Sequence, residues 1–235
     1  MDLKEITKRD RRCVVLTGSG VSAESGIPTF RGASGLWKNY RPEELATPEG
    51  WSRNPQLVWE WYNWRRDIIG KAKPNPAHYV IADMERFFKN FMLITQNIDG
   101  LHRKAGNQKI LELHGNIWRN KCSNCGKKFG EIISEKPQRC ECGGFIRPDV
   151  VWFGESLDRE VIETAFLKSR EAEILFVIGT SGVVQPAASL PFIAKENGAF
   201  IIEINTERTP ITNIADEFLM GKAGEIMEDL RNLFN

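Results

Sequence analysis

The chain has 235 residues, 41% of them hydrophobic, with 32 basic against 31 acidic side chains and a formal net charge of +1. That length supports one domain, or a domain with a small insertion, and the charge balance gives no electrostatic case for general nucleic-acid or membrane-surface binding. The opening M-D-L-K-E-I-T-K-R-D-R-R has no apolar signal-type stretch, and runs such as Ile174 to Ile178 are too short to span a bilayer, so a cytoplasmic protein is expected.

The first predicted strand is Cys13 to Thr17, C-V-V-L-T. It is nearly continuous in apolar residues, as in strands buried on both faces of a parallel sheet. It runs into G-S-G-V-S-A, where Gly18 and Gly20 allow backbone to approach a phosphate and the following helix offers unbonded N–H groups. Alone, G-x-G-x-x-A is a weak dinucleotide signal. The usual fingerprint also wants an acid at the end of a second strand, about 20 residues on. Here that region is P-T-F-R-G-A-S-G-L-W-K, with neither strand nor acid, which disfavours an ordinary dehydrogenase.

Residues 33–73 are rich in Trp, Tyr and Arg and read as loop plus helices. Within them W-E-W-Y-N-W-R-R-D, Trp59 to Asp67, reads as a helix with Tyr62 and Arg65 on one face. Two readings stay open at this point. The helix is packed against the body with a stacked, snorkelling arginine, or it is a pocket wall whose phenol and guanidinium grip a carboxylate.

A helix over Pro76 to Phe88 leads to a second strand, Phe91 to Thr95, ending in Q-N-I-D-G-L-H. Gln96, Asn97 and Asp99 thus stand at the mouth of the sheet, where polar atoms must be paired or used. L-E-L-H-G sets His114 just beyond an apolar pair, as a satisfied structural histidine or a base. Residues 119–147 lose hydrophobic periodicity and hold four of the five cysteines, as Cys122-x2-Cys125 and Cys140-x-Cys142 separated by fourteen residues. An odd total without a signal peptide argues against a disulfide framework, and Cys13 reads as a small buried side chain. Two close pairs of thiolates match a closed tetrahedral zinc site, which stabilises and leaves no position for a reacting water.

The alternation resumes with a helix over Asp158 to Ala172, a strand over Ile174 to Gly179, a helix over Ala187 to Asn197 and a strand over Phe200 to Ile204. G-T-S, Gly179 to Ser181, and I-N-T-E, Ile204 to Glu207, close the last two strands in small, hydroxyl and amide residues. The pattern is that of a doubly wound α/β fold, in which ligands bind beyond the carboxyl ends of the strands. Four polar strand ends therefore predict one extended site for a polar ligand.

Taken together, these residues resemble the sirtuin family of NAD-dependent protein-lysine deacylases. The matching motifs are G-S-G-V-S-A-E-S-G-I-P-T-F-R, T-Q-N-I-D-G-L-H, L-H-G, the two cysteine pairs, R-P-D-V-V-W-F-G-E, G-T-S and I-N, in order between Val14 and Ala223. The resemblance implies a Rossmann-like large domain from 1–32, 74–118 and 148–235. It implies a helical and cofactor-loop insertion at 33–73 and a small four-cysteine zinc module at 119–147. NAD would lie between the large and small parts. By the same resemblance, Gly18, Ser19, Gly20, Ala23, Phe30, Arg31 and Trp37 line the pyrophosphate and nicotinamide ribose. Gln96, Asn97, Ile98 and Asp99 orient the ribose and hold the nicotinamide amide, with Asn97 and Asp99 joining His114 in catalysis. Gly179, Thr180, Ser181, Asn205, Thr206, Glu207 and Ala223 surround the adenosine half.

The implied reaction consumes NAD: the acyl oxygen attacks the ribose, nicotinamide leaves, His114 acts as general base, and O-acyl-ADP-ribose is released. Asp149 to Gly154, with Val151, Trp152, Phe153 and Gly154 as substrate-binding residues, and Ser181 to Pro186 opposite resemble the backbone edges that take an acyl-lysine peptide as an added strand. Tyr62-x-x-Arg65 coincides with the pair that marks the subgroup acting on succinyl and malonyl groups, and L-A-T-P places Ala46 where that subgroup widens its pocket. A carboxylate two methylenes beyond the amide carbonyl needs room and a cation, which Arg65 and the Tyr62 hydroxyl supply. Two departures are Ser19, where the family most often has Ala, and the C-x-C second pair. Expected partners are acyl-lysine peptides or proteins, with no direct nucleic-acid or membrane binding and the oligomeric state open. Mono-ADP-ribosyl transfer, plain deacetylation and a non-catalytic NAD-binding module stand as alternatives, and His114 with Asn97 and Asp99 weighs against the last. A zinc-ribbon nucleic-acid binder is weaker still.

Overall fold

Six short stretches, most of them aliphatic and β-branched, align in parallel as one sheet in the computed structural model, which describes residues 3–30 and 41–234. They are β1 (Arg12–Thr17), β2 (Asn90–Thr95), β3 (Ile110–Glu112), β7 (Ile174–Ile178), β8 (Phe200–Asn205) and β9 (Glu217–Met220). Their order is β3-β2-β1-β7-β8-β9. The chain builds outward from β1 through β2 to β3, then returns to lay β7 on the other side of β1, Thr17 pairing with Thr95 on one flank and Ile178 on the other. The winding direction reverses between β1 and β7. A crevice opens at such a switch point because the loops leaving the two strands part in opposite directions.

β7 is buried at every position and β1 at all but its first, so their apolar runs carry no alternation. On one face lie α5 (Pro76–Phe87) and α9 (Ala223–Leu230), which bury Val80, Met84 and Met227 against Val15 and Phe176. On the other lie α7 (Arg159–Glu171) and α8 (Leu190–Glu196), with Ala165 and Leu190 against Leu16, Leu175 and Ile201. α5 starts where it does for chemical reasons. Pro76 takes the first turn, the Asn75 side chain accepts from Ala77 N–H, and the His78 ring accepts from Asn75 N–H in return.

The four strands expected from apolar runs lie where expected, except that Gly179 turns out of β7. Edge strands β3 and β9 were not anticipated, being short and only partly buried. The helix expected over 187–197 begins as a 3-10 turn, Ala187–Ser189, and becomes α-helical only at Leu190. Pro191 explains this, since its ring would collide with the carbonyl of residue 187 in a continuous α-helix.

A second, antiparallel sheet has the order β5-β4-β6, from β4 (Gly115–Cys122), β5 (Lys128–Phe129) and β6 (Ile146–Val150). Over it pack α2 (Pro42–Leu45), α3 (Pro48–Arg53) and α4 (Pro55–Lys71), burying Leu45, Trp51, Trp59 and Tyr62 with Ile117, Val150 and Trp152. One face of α4 grips this sheet and the loop before β6. Trp59 Nε1 and Asn63 Nδ2 donate to Ser134 O at 2.8 and 2.9 Å, and Arg66 donates to Ile117 O and Asn120 Oδ1 at 2.9 Å while stacking on Trp59. Arg65, the arginine of the packed-helix reading, also stacks on rings, over Phe30 and Trp61, but among the described residues it makes no such bonds to the small sheet. No helix among the described residues is long and apolar enough to cross a membrane.

Candidate active site

The loops that leave β1 and β7 touch backbone to backbone. Gly18 N–H extends the ladder to Ile178 O at 3.1 Å, and Gly20 N–H donates to Gly179 O at 2.8 Å. A Cβ on Gly20 would stand 2.8 Å from Gly179 Cα, and Gly179, at φ +60°, would put its own Cβ 2.5 Å from Val21 N. Only glycine permits both the contact and the left-handed turn. Beyond this contact lies a cleft of about 520 Å³, lined by the ends of β1, β2, β7 and β8, by Val150 to Glu155 and by α4.

The polar strand ends are bonded to one another. Gln96 Nε2 donates to Thr180 Oγ1 at 2.9 Å and so ties β2 to β7, and Asn205 Nδ2 donates to Thr180 O at 2.8 Å and ties β8 to the same turn. His114 lies between β3 and β4 with Nδ1 3.0 Å from Gln96 O. A carbonyl only accepts, so Nδ1 carries the proton and Nε2 keeps its lone pair. Burial holds the His114 pKa below its ordinary 6.5, the bond to Gln96 opposing only in part. His114 O also accepts from Val151 N–H at 2.9 Å, which fixes the 151–154 edge beside the ring.

Behind the cleft is a buried polar network. Asn97 Nδ2 donates to Ser22 Oγ at 3.1 Å, and Ser22 donates to Asp99 Oδ2 at 2.8 Å. The other Asp99 oxygen takes Leu101 N–H at 2.8 Å. His78, whose Nδ1 accepts from Asn75 N–H, presents Nε2–H toward Ser22 at 3.4 Å, and its ring centroid lies 4.8 Å from that of His102. Desolvation raises the Asp99 pKa and lowers those of both histidines, His78 to about 4.

At the opposite end stand Ala46, Tyr62 and Arg65. Arg65 is 5% exposed, its guanidinium held 4.7 Å from the Phe30 ring centroid and 5.2 Å from that of Trp61. Among the described residues it has no salt-bridge partner. Burial lowers its pKa, with Tyr62 and Asp99 opposing. The Tyr62 hydroxyl accepts from Trp152 Nε1–H at 2.9 Å, and Phe153 N–H donates to Ala46 O at 2.9 Å.

The four cysteine sulfurs of 122, 125, 140 and 142 all lie within 4.8 Å of one another, with 3.4 Å between Cys122 and Cys142 and 3.8 Å between Cys125 and Cys140. Tetrahedral zinc with Zn–S near 2.3 Å requires sulfurs roughly 3.8 Å apart. The donor set fits structural zinc, and the shortened second pair does not prevent convergence. None of the four lines the cleft.

Most expected site residues share one wall-to-wall cleft: Gly18, Ser19, Gly20, Phe30, Ala46, Tyr62, Arg65, Gln96, Asn97, Ile98, His114, Val151 to Gly154, Gly179 to Ser181 and Asn205 to Glu207. Three do not line it. Ala23 is exposed, Ala223 is buried in the core beside Met227, and Asp99 lies behind Asn97, to which Ser22 links it. Arg31 and Trp37 fall outside the described residues. Ser22 and His78 were missed as individuals. Ser22 lies within the quoted G-S-G-V-S-A motif, and the signal for His78 was that the chain has only three histidines.

A model of the Sir2 family matches residues 18–186. A protein of Aquifex aeolicus named NAD-dependent protein deacylase is 59% identical over 214 residues, covering 89% of this chain and 90% of that one. A solved Sir2 homologue mutant in complex with ADP ribose superposes with a TM-score of 0.93 at 46% identity, covering 100% of this chain and 96% of the other. A Sir2 complex with a p53 peptide and NAD+ does so with a TM-score of 0.86 at 32% identity, over 99% and 98%. With a family model over most of the chain, a relative at 59% identity and superposition over the whole chain in agreement, the chain belongs to the Sir2 family.

Proposed function

We propose that this protein removes acyl groups from lysine side chains at the expense of NAD, and that it accepts succinyl and malonyl groups as well as acetyl. NAD, when bound, supplies an electrophilic ribose carbon with nicotinamide as its leaving group. The Gly18–Gly20 turn and Thr180–Ser181 would hold the phosphates, and Asn205 to Glu207 the adenosine half. Asn97, its amide nitrogen committed to Ser22, keeps its carbonyl oxygen as an acceptor for the nicotinamide end. His114 Nε2, unprotonated because Nδ1 carries the hydrogen, takes a proton from a ribose hydroxyl. Val151 to Gly154 and Ser181 to Pro186 offer main-chain groups on both sides of a peptide, which is recognition by strand addition. Zinc, held by Cys122, Cys125, Cys140 and Cys142, would brace the small sheet away from the reaction.

The observation that carries the acidic-acyl reading is Arg65. A guanidinium buried between two rings, without a salt-bridge partner among the described residues and opening into the cleft beside Ala46, is stabilised by a ligand anion. The test is a paired assay of one peptide carrying acetyl- or succinyl-lysine, with NAD, read by product mass. O-succinyl-ADP-ribose should form. The double variant Tyr62→Phe/Arg65→Met should lower the succinyl-to-acetyl ratio of kcat/KM on the order of 100-fold, as loss of two charge-assisted bonds requires. A ratio that stays constant assigns the pair to packing. Labelled protein in place of O-acyl-ADP-ribose would make the enzyme an ADP-ribosyltransferase.

A further inference from the structure

We infer that Trp152 is a positioning residue that fixes the direction of the Tyr62 hydroxyl and thereby sets the acyl selectivity of the pocket. This rests on the acidic-acyl reading above.

An indole N–H only donates. At 2.9 Å, Trp152 Nε1–H occupies a lone pair of the Tyr62 oxygen, so the phenol must spend its own hydrogen elsewhere. Among the described residues no acceptor takes that hydrogen, and Tyr62 borders the cleft beside Arg65. The pocket end thus presents a phenol O–H next to a guanidinium, two donors of a kind that a carboxylate accepts from and a methyl group cannot. Remove the indole N–H and the Tyr62 oxygen regains an acceptor position, which the guanidinium of Arg65 or a water can fill. The phenol then no longer serves only as a donor to the ligand.

The donor is held in place from behind. Trp152 and Tyr62 are each 2% exposed. The Arg147 guanidinium lies 3.2 Å from the Trp152 ring centroid, and Arg147 is itself locked to both oxygens of Glu155 at 2.6 and 2.8 Å. Glu155 also takes the Trp152 backbone N–H at 2.9 Å, and Trp51 packs on the indole with ring centroids 5.7 Å apart. The indole therefore has one orientation, and so does the hydroxyl it feeds.

Trp152→Phe keeps an aromatic ring and deletes the donor. Because the smaller ring could loosen the segment, a second protein carries 3-benzothienylalanine at 152, which preserves the bicyclic shape without an N–H. For both, kcat and KM are measured on acetyl- and succinyl-lysine forms of one peptide, beside the unmodified enzyme. We expect the succinyl-to-acetyl ratio of kcat/KM to fall about tenfold, the equivalent of one oriented hydrogen bond, with the change carried by KM for the succinyl peptide. Tyr62→Phe/Trp152→Phe should fall no further than Tyr62→Phe alone. A ratio unchanged in the benzothienyl protein, or an equal fall on both peptides, overturns the inference while leaving the acidic-acyl reading standing. An unmodified enzyme inactive on succinyl-lysine overturns both, and that arm is read separately.

Discussion

At His114 the position of one proton decides what the residue can do. Because Gln96 O fixes the hydrogen on Nδ1, Nε2 is a base only while the ring is neutral. Burial lowers the ring's pKa from 6.5, which extends the neutral form to more acidic pH than an exposed histidine would allow. The acid limb of kcat/KM should therefore have its midpoint below 6.5, and a midpoint above that value would exclude His114 as the group seen. His114→Ala should cost about 10²- to 10⁴-fold in kcat with the circular dichroism spectrum unchanged. The motif L-H-G made His114 legible, since a polar residue beyond a buried strand must be used or paired. The same logic exposed Gln96 and Asn97. It misplaced Asp99, because strand position says that a side chain is near the mouth and not whether it turns forward or back. Here Leu101 N–H and Ser22 draw it back.

Elements were legible where burial is filled by apolar side chains; β6, buried throughout but reading I-R-P-D-V, gave no such signal. β1 and β7 declare themselves by unbroken apolar runs, whereas β3 and β9 are short edges with half-exposed side chains and leave no such trace. The helix α4 shows why a single face was hard to assign. Arg66, Trp59 and Asn63 hold the small sheet, while Tyr62 and Arg65, on another face, reach the cleft. Support for the pocket thus passes through a module that a metal would brace. Cys140→Ser should abolish stoichiometric zinc in elemental analysis and lower Tm by on the order of 10 °C, for the cost of several kcal/mol that loss of a structural metal entails. Retained Tm without zinc would detach the metal from stability. At the other wall, Gly20→Ala forces a Cβ to 2.8 Å from Gly179 Cα, which is backbone and cannot swing aside. About 1–3 kcal/mol of destabilisation is expected in urea unfolding, together with a raised KM for NAD, because the crevice itself must shift. An alanine variant with both values unchanged would mean that the two turns do not need to touch.

At the scale of the whole molecule, the topology puts unneutralised polar groups deep behind the site, and this sets how the fold responds to acid. His78 on α5 and His102 on α6 (Leu101–Ala105) are fully buried, their rings 4.8 Å apart, and desolvation depresses both pKa values, with His78 adding to the effect on His102. His78 also has a structural reason to stay neutral: its Nδ1 lone pair accepts Asn75 N–H in the cap of α5, and a proton there breaks the cap. The folded pKa of about 4 lies below the unfolded value near 6.5, so between those limits the unfolded chain binds more protons and stability rises with pH. Falling pH removes roughly 2 kcal/mol by pH 5 and on the order of 3 kcal/mol in full from His78 alone, and His102 acts with the same sign. Asp99 opposes them, because its raised pKa lets the folded state take a proton more readily than the unfolded chain. The contribution of His78 is isolated by comparison: His78→Gln retains an acceptor for Asn75 N–H and removes the titration. Between pH 7.5 and 5 the parent protein should lose roughly 4–8 °C more in Tm than His78→Gln does, at about 2–4 °C per kcal/mol for a chain of this size. Parallel losses in the two proteins would place the acid sensitivity outside His78 and leave its burial without the energetic consequence argued here.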